Sequence, residues 1–407
     1  MNVKSSLPLS GVTVVELATV VAAPTTARML CAYGAEVIKV ETLYGDEMRR
    51  AGKTEGTPYE DGYNPLFTVH NSNKQLTAIN IKSEAGRAAL LKLLEDADVF
   101  ITNIREASLA RLGLDYAALQ ERFPGLVYAH FSGYGPQGPA ASNPGFDSTA
   151  FWLRSGPMAD WQVEGSFPFV PTYAFGDMAT SSVLLSGILM ALLGREKTGL
   201  GTKVETSLFA SGIWCNSVGV VSTQFERRHM NPDPLRPADP FDTCYLCSDG
   251  KWIGVYVNEY KRDKEKLARL LGMEDILDDP RYDDIATLAE SGVIVEAVQR
   301  LNAIFKTKTS AQWRSLLSEN SVSCEVMQRT CDVSADDQAI ANRYVEPVTF
   351  ADGHSVTMPC PPIHFSRYGR RDYAPTGGVG MDTDAVFARL GYSREEIGRL
   401  RAEGAIL

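Results

Sequence analysis

Two adjacent residues near the middle of the chain, Gly176 and Asp177, have the clearest capacity for chemistry. Asp177 begins an apolar stretch of helical pattern that is predicted to run to Leu193 and to end at Gly194. A carboxylate at a helix N-terminus commonly caps the helix and contributes typically about 1 kcal/mol. The same geometry can present the carboxylate to a substrate as a nucleophile, beside free backbone N–H groups that bind an oxyanion. Both interpretations of Asp177 are open at this point.

Two further motifs resemble ligand sites without meeting their requirements. The segment 133–138 has the form G-x-G-x-x-G, but the dinucleotide fingerprint needs a helix to begin at its third glycine. Pro139 and Pro144 follow instead, which predicts an irregular loop that lines a site. Cys244 and Cys247 form a lone C-x-x-C, whereas a zinc site needs four ligands. The five histidines show no metal-ligand spacing either, so we expect no metal.

The composition restricts the partners and the compartment. The chain has 407 residues and a formal charge of −10, which disfavours nucleic acid or an anionic membrane as a partner. An anionic ligand would therefore need a local basic pocket. The longest apolar stretch, 183–193, is shorter than the ~20 residues that span a bilayer. An odd number of cysteines, seven, and no N-terminal apolar stretch predict a cytoplasmic protein.

The first 131 residues alternate between strand and helix patterns. Predicted strands lie at 12–17, 35–41, 76–81, 98–103 and 126–131, with helices between them. This alternation is typical of a parallel sheet covered by helices. The stretch 132–176 is irregular, and long irregular stretches inside a domain are often functional. A helix at 177–193, a strand at 203–208 and a long helix at 209–227 follow.

The second half of the chain predicts a smaller α+β unit. Four prolines between 230 and 240 indicate a linker, and 243–247 with 252–257 form a predicted hairpin. Helices are predicted at about 258–271, 284–305 and 309–319. Extended proline-rich segments follow residue 330, and a helix pair at 383–390 and 394–403 ends the chain.

Eleven short motifs occur in a fixed order along residues 7–407. They lie at 9–12, 34–41, 45–49, 73–74, 97–103, 111–114, 132–135, 145–147, 176–177, 197–201 and 390–392. In these motifs the chain resembles the class III CoA-transferases, which include formyl-CoA, carnitine and (R)-phenyllactate CoA-transferases. This family is related to α-methylacyl-CoA racemase.

The resemblance implies a fold and an assembly. We expect an α/β, Rossmann-like large domain with a parallel sheet, whose N-terminal part is 1–225, and a small α+β domain at 230–325. Residues 326–407 would form a linker and a C-terminal part that returns to the large domain. Two such chains would interlock as a homodimer.

The resemblance also implies the chemistry. Asp177 would be a covalent nucleophile that attacks an acyl-CoA thioester and carries CoA as an aspartyl-CoA thioester before a carboxylic acid accepts it. Coenzyme A, as acyl-CoA, and a small carboxylic acid would be the substrates. By motif position, the residues implied to contact CoA are Val20, Val21, Ile79, Lys82, Asn103, Ile104, Arg111, Phe146 and Asp147. Lys74, Lys82 and Arg111 are the cations expected near its phosphates.

Departures from the family pattern narrow the expected activity. Phe146 stands where the racemase branch has a histidine, so half of a proton-exchange pair is missing and transfer is favoured over racemisation. The glycine-rich loop of the formyl-CoA branch has no counterpart near 230–250, and Thr42 replaces a basic residue.

Eight aromatic residues between 146 and 175 suit an apolar or aromatic acid, and the motifs favour a 2-hydroxy acid. The alternatives are an acyl-CoA racemase and a non-catalytic CoA-binding protein.

Overall fold

Six parallel strands form the helix-covered sheet that the alternating pattern predicts. In the computed structural model, which describes residues 7–163, 165–171, 174–225 and 232–407, their order is β3-β2-β1-β4-β5-β6. The strands are β1 (Thr13–Leu17), β2 (Glu36–Glu41), β3 (Gln75–Ala78), β4 (Val99–Thr102), β5 (Val127–Ser132) and β6 (Lys203–Ser207). In such doubly wound sheets, ligands bind outside the carboxyl ends of the strands where the order reverses. Here that point lies between β1 and β4.

Helices lie between these strands along the chain and after β6. They are α1 (Ala22–Ala32), α2 (Gly52–Glu55), α3 (Pro65–Asn71), α4 (Glu84–Leu94), α5 (Glu106–Leu112), α6 (Tyr116–Arg122), α7 (Pro157–Asp160), α8 (Phe175–Thr198), α9 (Leu208–Cys215) and α10 (Ser217–Ser222). A π-helical turn at Asp147–Leu153 interrupts the stretch predicted to be irregular.

The chain divides into a large and a small unit. The large unit takes its residues from Met1–Pro157, Val170–Val221 and Asp336–Leu407, and the small unit from Met158–Phe169 and Ser222–Ala335. The domain limits given above stay a prediction, and residues 230 and 231 of the predicted linker lie outside the described residues.

The small unit has its own sheet and core. Strands β7 (Thr243–Leu246), β8 (Trp252–Tyr256) and β9 (Ser323–Val326) pair antiparallel in that order. Its helices are α11 (Tyr260–Leu271), α12 (Ile285–Ser291), α13 (Ile294–Phe305) and α14 (Ser310–Glu319). The predicted hairpin is confirmed, whereas β9 was not predicted. Gly292 adopts a φ of +70° and divides the single helix predicted at 284–305 into two.

The C-terminal part contributes to the large unit. It contains α15 (Asp337–Ala341), a hairpin of β10 (Val345–Thr349) and β11 (Ser355–Pro359), and helices α16 (Thr383–Arg389) and α17 (Arg394–Ala402). The isolated bridge between Ile79 and Ile406 joins the chain end to the region that follows β3. The predicted helix pair is confirmed.

Helix α8 is longer than predicted. Gly194 does not end it, because the strong helix formers Arg195, Glu196 and Lys197 follow, and the helix ends at Gly199 with a φ of +72°. By length and composition alone, its 24 residues are long and apolar enough to cross a membrane. The prediction that the longest apolar stretch, 183–193, is too short for this is therefore wrong. Its inner face packs on α1, β5 and β6, and about a third of its apolar window is buried.

A buried network of charges joins the carboxyl ends of β1 and β2 to Lys74. Glu16 bonds Lys39 Nζ through Oε1 (2.8 Å) and Lys74 Nζ through Oε2 (2.6 Å), and Lys39 Nζ also contacts Asp46 Oδ2 (2.9 Å). All four side chains are fully buried. Because a buried charge without a partner is costly, these groups must stay together.

The network holds the turn after β1. Asp46 Oδ1 accepts the backbone N–H of Val20 (3.1 Å), and Lys39 Nζ donates to Ala18 O (2.9 Å). Val20 has a φ of +71°, which is unfavourable for a β-branched residue and persists only where its surroundings hold it. The network therefore fixes the backbone between β1 and α1.

We expect Glu16→Gln to destabilise the large unit by roughly 3 kcal/mol, because Lys74 loses its carboxylate partner in the interior. Glu95→Gln is the matched control, since Glu95 forms a half-exposed pair with Arg122 (3.1 Å), and such pairs contribute less than about 1 kcal/mol. Urea denaturation of both variants measures the difference. Equal stability of the two variants would show that the buried network does not hold the fold.

Candidate active site

The Gly176-Asp177 pair lies in the first turn of α8. The helix follows Ala174, which has a φ of +52°, and Asp177 is half-buried. A side chain at position 176 would overlap the ring of Phe151, so only glycine allows this approach. The close packing of Gly176 on Phe151 fixes the position of Asp177.

Asp147, not Asp177, caps this helix. Asp147 Oδ2 accepts the backbone N–H of Gly176 (2.8 Å) and of Asp177 (3.2 Å). The capping interpretation of Asp177 is therefore wrong, and so is the expectation that these two N–H groups are free for an oxyanion. In the described part of the chain, no side chain or backbone group donates a hydrogen bond to the Asp177 carboxylate.

The electrostatics distinguish the two carboxylates. Burial, and then the nearby charge of Asp147, raise the pKa of Asp177 to about 7. Burial also raises the pKa of Asp147, while the N–H groups of Asp177 and Gly176 and the Trp152 side chain oppose that rise. The helix thus stabilises the charge on Asp147, and Asp177 is left as the more basic carboxylate.

A buried polar contact links α1 to the turn that holds Asp177. Thr25 Oγ1 lies 2.8 Å from His70 Nδ1 and from Val21 O, and 3.7 Å from Met178 Sδ. Burial lowers the pKa of His70 to about 3, so the ring is neutral. Thr25 and His70 were not singled out in the sequence, because no motif or spacing connects them to Asp177.

The glycine-rich loop approaches the irregular stretch backbone to backbone. A Cβ on Gly133 would lie 2.7 Å from Gly145 Cα, and a Cβ on Gly145 would lie 2.6 Å from Gly133 Cα. No helix begins at Gly138, so the prediction of an irregular loop rather than a dinucleotide fingerprint is confirmed. The two glycines bring Phe146 and Asp147 to the end of β5.

A pocket of about 560 Å³ opens at the carboxyl ends of β4 and β5. Its wall consists of Asn103, Arg105–Ser108, Arg111, His130–Gly133, Gly135, Pro136 and Ala141–Phe146. It therefore brings together three residues of the predicted site, Asn103, Arg111 and Phe146. Arg105 and Arg111 supply positive charge, while the one carboxylate of the wall, Glu106, is paired with Lys203 (2.9 Å). The sequence analysis missed Arg105, although it is adjacent to Ile104.

Asn103 connects this pocket to the turn after β1. Its Oδ1 accepts the Thr19 N–H (3.1 Å), and its Nδ2 donates to Thr19 O (2.8 Å). These two bonds place Val20 and Val21, both predicted site residues, beside the end of β4. This is the point where the strand order of the sheet reverses.

Other predicted site residues, among them Ile104, Ile79 and Lys82, do not line this pocket. The carbonyl of Ile104 accepts from His130 Nε2 (3.0 Å). Ile79 is 2% exposed and packs in the core, while Lys82 is exposed; both follow β3, which β2 and β1 separate from β4. The prediction that Lys74 lies near phosphates is wrong, because its ammonium is buried against Glu16, Asn71 and Pro24.

Aromatic residues of the segment 146–175 divide into two groups. Phe151 and Trp152 are buried, whereas Phe146 and Phe175 of the large unit are 65% and 63% exposed. The ring of Phe175 lies 5.8 Å from that of Trp152. Tyr173 lies outside the described residues. Phe146 and Phe175, next in sequence to Asp147 and Gly176, are therefore the exposed rings of this segment among the described residues of the large unit. Trp161 and Phe167, in the small unit, are exposed as well.

Glu106, His130 and Glu205 place possible metal ligands within 4.8 Å of one another. Lys203 Nζ, however, lies 2.9 Å from Glu106 and 3.0 Å from Glu205. The ammonium thus already balances both carboxylates. We assign this cluster to the wall of the pocket, not to a metal.

Comparison with known proteins gives consistent matches over nearly the whole chain. Residues 9–383 match the profile described as CoA-transferase family III. The (R)-2-hydroxy-4-methylpentanoate CoA-transferase of Clostridioides difficile is 35% identical over 97% of this chain and 98% of its own. The cinnamoyl-CoA:phenyllactate CoA-transferase of Clostridium sporogenes is 31% identical over 98% of this chain and 97% of its own.

Solved structures show the same fold. A CAIB/BAIF family protein from Brucella suis matches with a TM-score of 0.78 and 25% identity, over 95% of this chain and all of that one. The crystal structure of Rv3272 from M. tuberculosis matches with a TM-score of 0.80 and 24% identity, over 94% of this chain and all of that one.

We expect Asp147→Asn to lower the pKa of Asp177 below its value of about 7. The asparagine oxygen can still accept the two N–H groups, but the negative charge beside Asp177 is gone. Burial remains, so the pKa should stay above the ordinary value of 3.8. Carboxyl-carbon NMR of protein labelled at aspartate, with Asp177→Asn to assign the resonance, measures the titration.

Asp147→Ala serves as the comparison, since it also removes the cap and should lower stability by about 1 kcal/mol. An unchanged Asp177 titration in Asp147→Asn would contradict the electrostatic coupling of the two carboxylates.

Proposed function

Because this chain belongs to CoA-transferase family III, we propose that it moves CoA from an acyl-CoA to a free carboxylic acid, with Asp177 as the temporary carrier. One observation carries the proposal: Asp177 is a half-buried carboxylate in the first turn of α8, and none of the described residues donates a hydrogen bond to it. A desolvated carboxylate with a raised pKa is a better nucleophile than a solvated one.

The proposed reaction has four covalent steps. A carboxylate oxygen of Asp177 attacks the thioester carbonyl, the C–S bond breaks, and CoA leaves as a thiolate from the resulting mixed anhydride. The thiolate attacks the carbonyl carbon of Asp177, which gives an aspartyl-CoA thioester and releases the donor acid. The acceptor carboxylate then attacks this thioester, the C–S bond breaks, and the thiolate leaves from a second mixed anhydride. The thiolate finally attacks the acceptor carbonyl of this anhydride, which gives the new acyl-CoA and frees the Asp177 carboxylate. The overall reaction exchanges one thioester and carboxylate for another, so the thioester energy is retained.

The pocket at the ends of β4 and β5 suits the CoA moiety. Arg105 and Arg111 give its wall a positive charge within a chain whose net charge is −10. Guanidinium groups bind phosphates through paired hydrogen bonds. The pocket ends at Phe146, next to the residue that contacts the turn of Asp177. CoA would thus lie with its phosphates at the arginines and its thiol directed to Asp177.

We propose an apolar or aromatic 2-hydroxy acid as the acyl group. The two relatives described above act on (R)-2-hydroxy-4-methylpentanoate and phenyllactate by name. Phe146 and Phe175 would supply an apolar surface near Asp177. Racemisation is the second candidate, but neutral, exposed Phe146 offers no proton-exchanging group beside Asp147.

We expect Asp177→Ala and Asp177→Asn to lose CoA transfer by at least about 10³-fold, because the carrier carboxylate is gone. Asp96→Asn, a substitution at an exposed position, should keep full activity. Mass spectrometry after incubation with 2-hydroxyacyl-CoAs should find a CoA adduct on the Asp177 peptide that hydroxylamine removes.

Transfer that survives Asp177→Asn would overturn the carrier role. Solvent deuterium that enters the α-carbon without an acceptor acid would favour the racemase. The transfer rate should fall as pH falls through about 7, because protonation removes the nucleophile.

We also infer a homodimer that uses the outer face of α8 to α10. Met190 and Leu193 of α8 are 66% and 61% exposed, Trp214 of α9 is 74% exposed, and Val218 of α10 is 76% exposed. Apolar surface of this extent on packed neighbouring helices is typical of a buried interface. A second copy of the chain would cover it, and the interlocked arrangement stays a prediction.

We expect Trp214→Glu to convert the dimer to a monomer in light scattering after gel filtration, because a charge replaces an interface aromatic. Trp252→Glu, at a 44% exposed position in β8, is the control and should remain dimeric. A monomeric wild-type protein would refute the inference.

A further inference from the structure

Arg28 is buried in the large unit without a counter-charge. It lies in α1 and is 2% exposed; the Tyr373 side chain hydrogen-bonds its guanidinium, and its other N–H groups have no acceptor among the described residues. The Tyr373 ring lies 4.9 Å from its guanidinium carbon. A guanidinium carries five N–H donors and stays charged, so a buried one without acceptors is rare in native proteins.

A second arginine next to Arg28 adds to the positive charge. Arg370 has a side chain that is 8% exposed, and its Nη1 is buried with no acceptor among the described residues. Its Nη2 contacts Glu346 (2.9 Å) and Arg343 O (3.4 Å). Glu346 also pairs with Arg343, so this carboxylate is shared and cannot balance Arg28 as well.

No carboxylate is among the groups that affect the pKa of Arg28 most strongly. Burial lowers the pKa of Arg28, and the groups that act on it most strongly after that are Tyr373, Cys31 and Arg370. The charges of Arg28 and Arg370 repel each other across this interior. The region therefore has guanidinium N–H groups without an acceptor among the described residues and an excess of positive charge.

From this geometry we propose that Arg28 and Arg370 form a binding site for a small anion, such as a halide, phosphate or short carboxylate. Such an anion would accept the unpaired N–H groups and balance the second positive charge. The site is separate from the CoA pocket, since none of its residues lines that pocket.

Two openings at the surface are lined by neighbours of Arg28, although Arg28 itself lines neither of them. Arg370 lines a depression of about 150 Å³ together with Arg343 and His364, and no carboxylate lies in its wall. Tyr373, which covers the Arg28 guanidinium, lines a neighbouring opening of about 350 Å³. The smaller opening admits a small anion but not an acyl-CoA.

Bromide is the probe for this site, because it scatters anomalously and resembles chloride. Crystals of the wild-type protein grown or soaked in sodium bromide should show an anomalous peak between the two guanidinium groups. Its absence at high bromide concentration would overturn the proposal, whatever the variants do.

In solution, bromide should raise the wild-type Tm by at least about 3 °C above the Tm in sodium HEPES of equal ionic strength, since HEPES is too large for the site. Arg28→Met should lose this rise and should be at least as stable as wild type without bromide, because the buried charge is removed. Arg370→Met should reduce the rise in Tm that bromide produces.

Arg389→Met is the matched control, since Arg389 is half-exposed and lies 3.9 Å from Glu36. It should keep the full bromide response. Equal responses of wild type and Arg28→Met would refute the site. A wild-type Tm that rises with protein concentration but not with bromide would instead show that a second chain supplies the acceptor.

Discussion

The rest of the structure depends on the ion pairs that Glu16 makes with Lys39 and Lys74 inside the protein. All three charges are fully buried, so none can be left without its partners. Lys39 also binds Asp46, and Asp46 in turn holds the N–H of Val20 in an unfavourable backbone conformation. A group of charges far from solvent thus determines the shape of the turn at which the sheet reverses its strand order. Helix α1 begins at that turn, and Asn103 of the pocket at the ends of β4 and β5 hydrogen-bonds to it.

A second constraint concerns two carboxylates at one helix end. The α8 N-terminus has few free N–H groups, and Asp147 takes two of them. Asp177 is buried beside a negative charge, and no hydrogen-bond donor among the described residues offsets these two effects, so its pKa is raised. The same helix therefore stabilises the charge on Asp147 and leaves Asp177 as the more basic carboxylate. Any oxyanion formed during transfer must find its donors elsewhere than at Gly176 and Asp177.

The sequence was sufficient to predict the parallel sheet and the helix after Gly176, because apolar alternation and helical periodicity are local signals. The role of Asp177 came from the family resemblance and stays a proposal. The sequence did not predict the partner of that helix, since Asp147 lies 30 residues from Asp177 and no spacing rule connects them. Lys74 was misplaced for a related reason: a lysine in a polar motif suggests solvent, and only the fold shows that Glu16 buries it. Gly194 was read as a helix end, but glycine inside a helix is tolerated where good helix formers follow.

The contact between Gly176 and the Phe151 ring also bears on how this scaffold can diversify. Because the backbone of the reactive turn rests directly on a core aromatic, any change in the size of residue 151 displaces the turn. Phe146 and Phe175 are under no such restriction, since both are largely exposed. Under the proposed function, variation of these two rings would alter the acids that are accepted without moving the turn that carries Asp177.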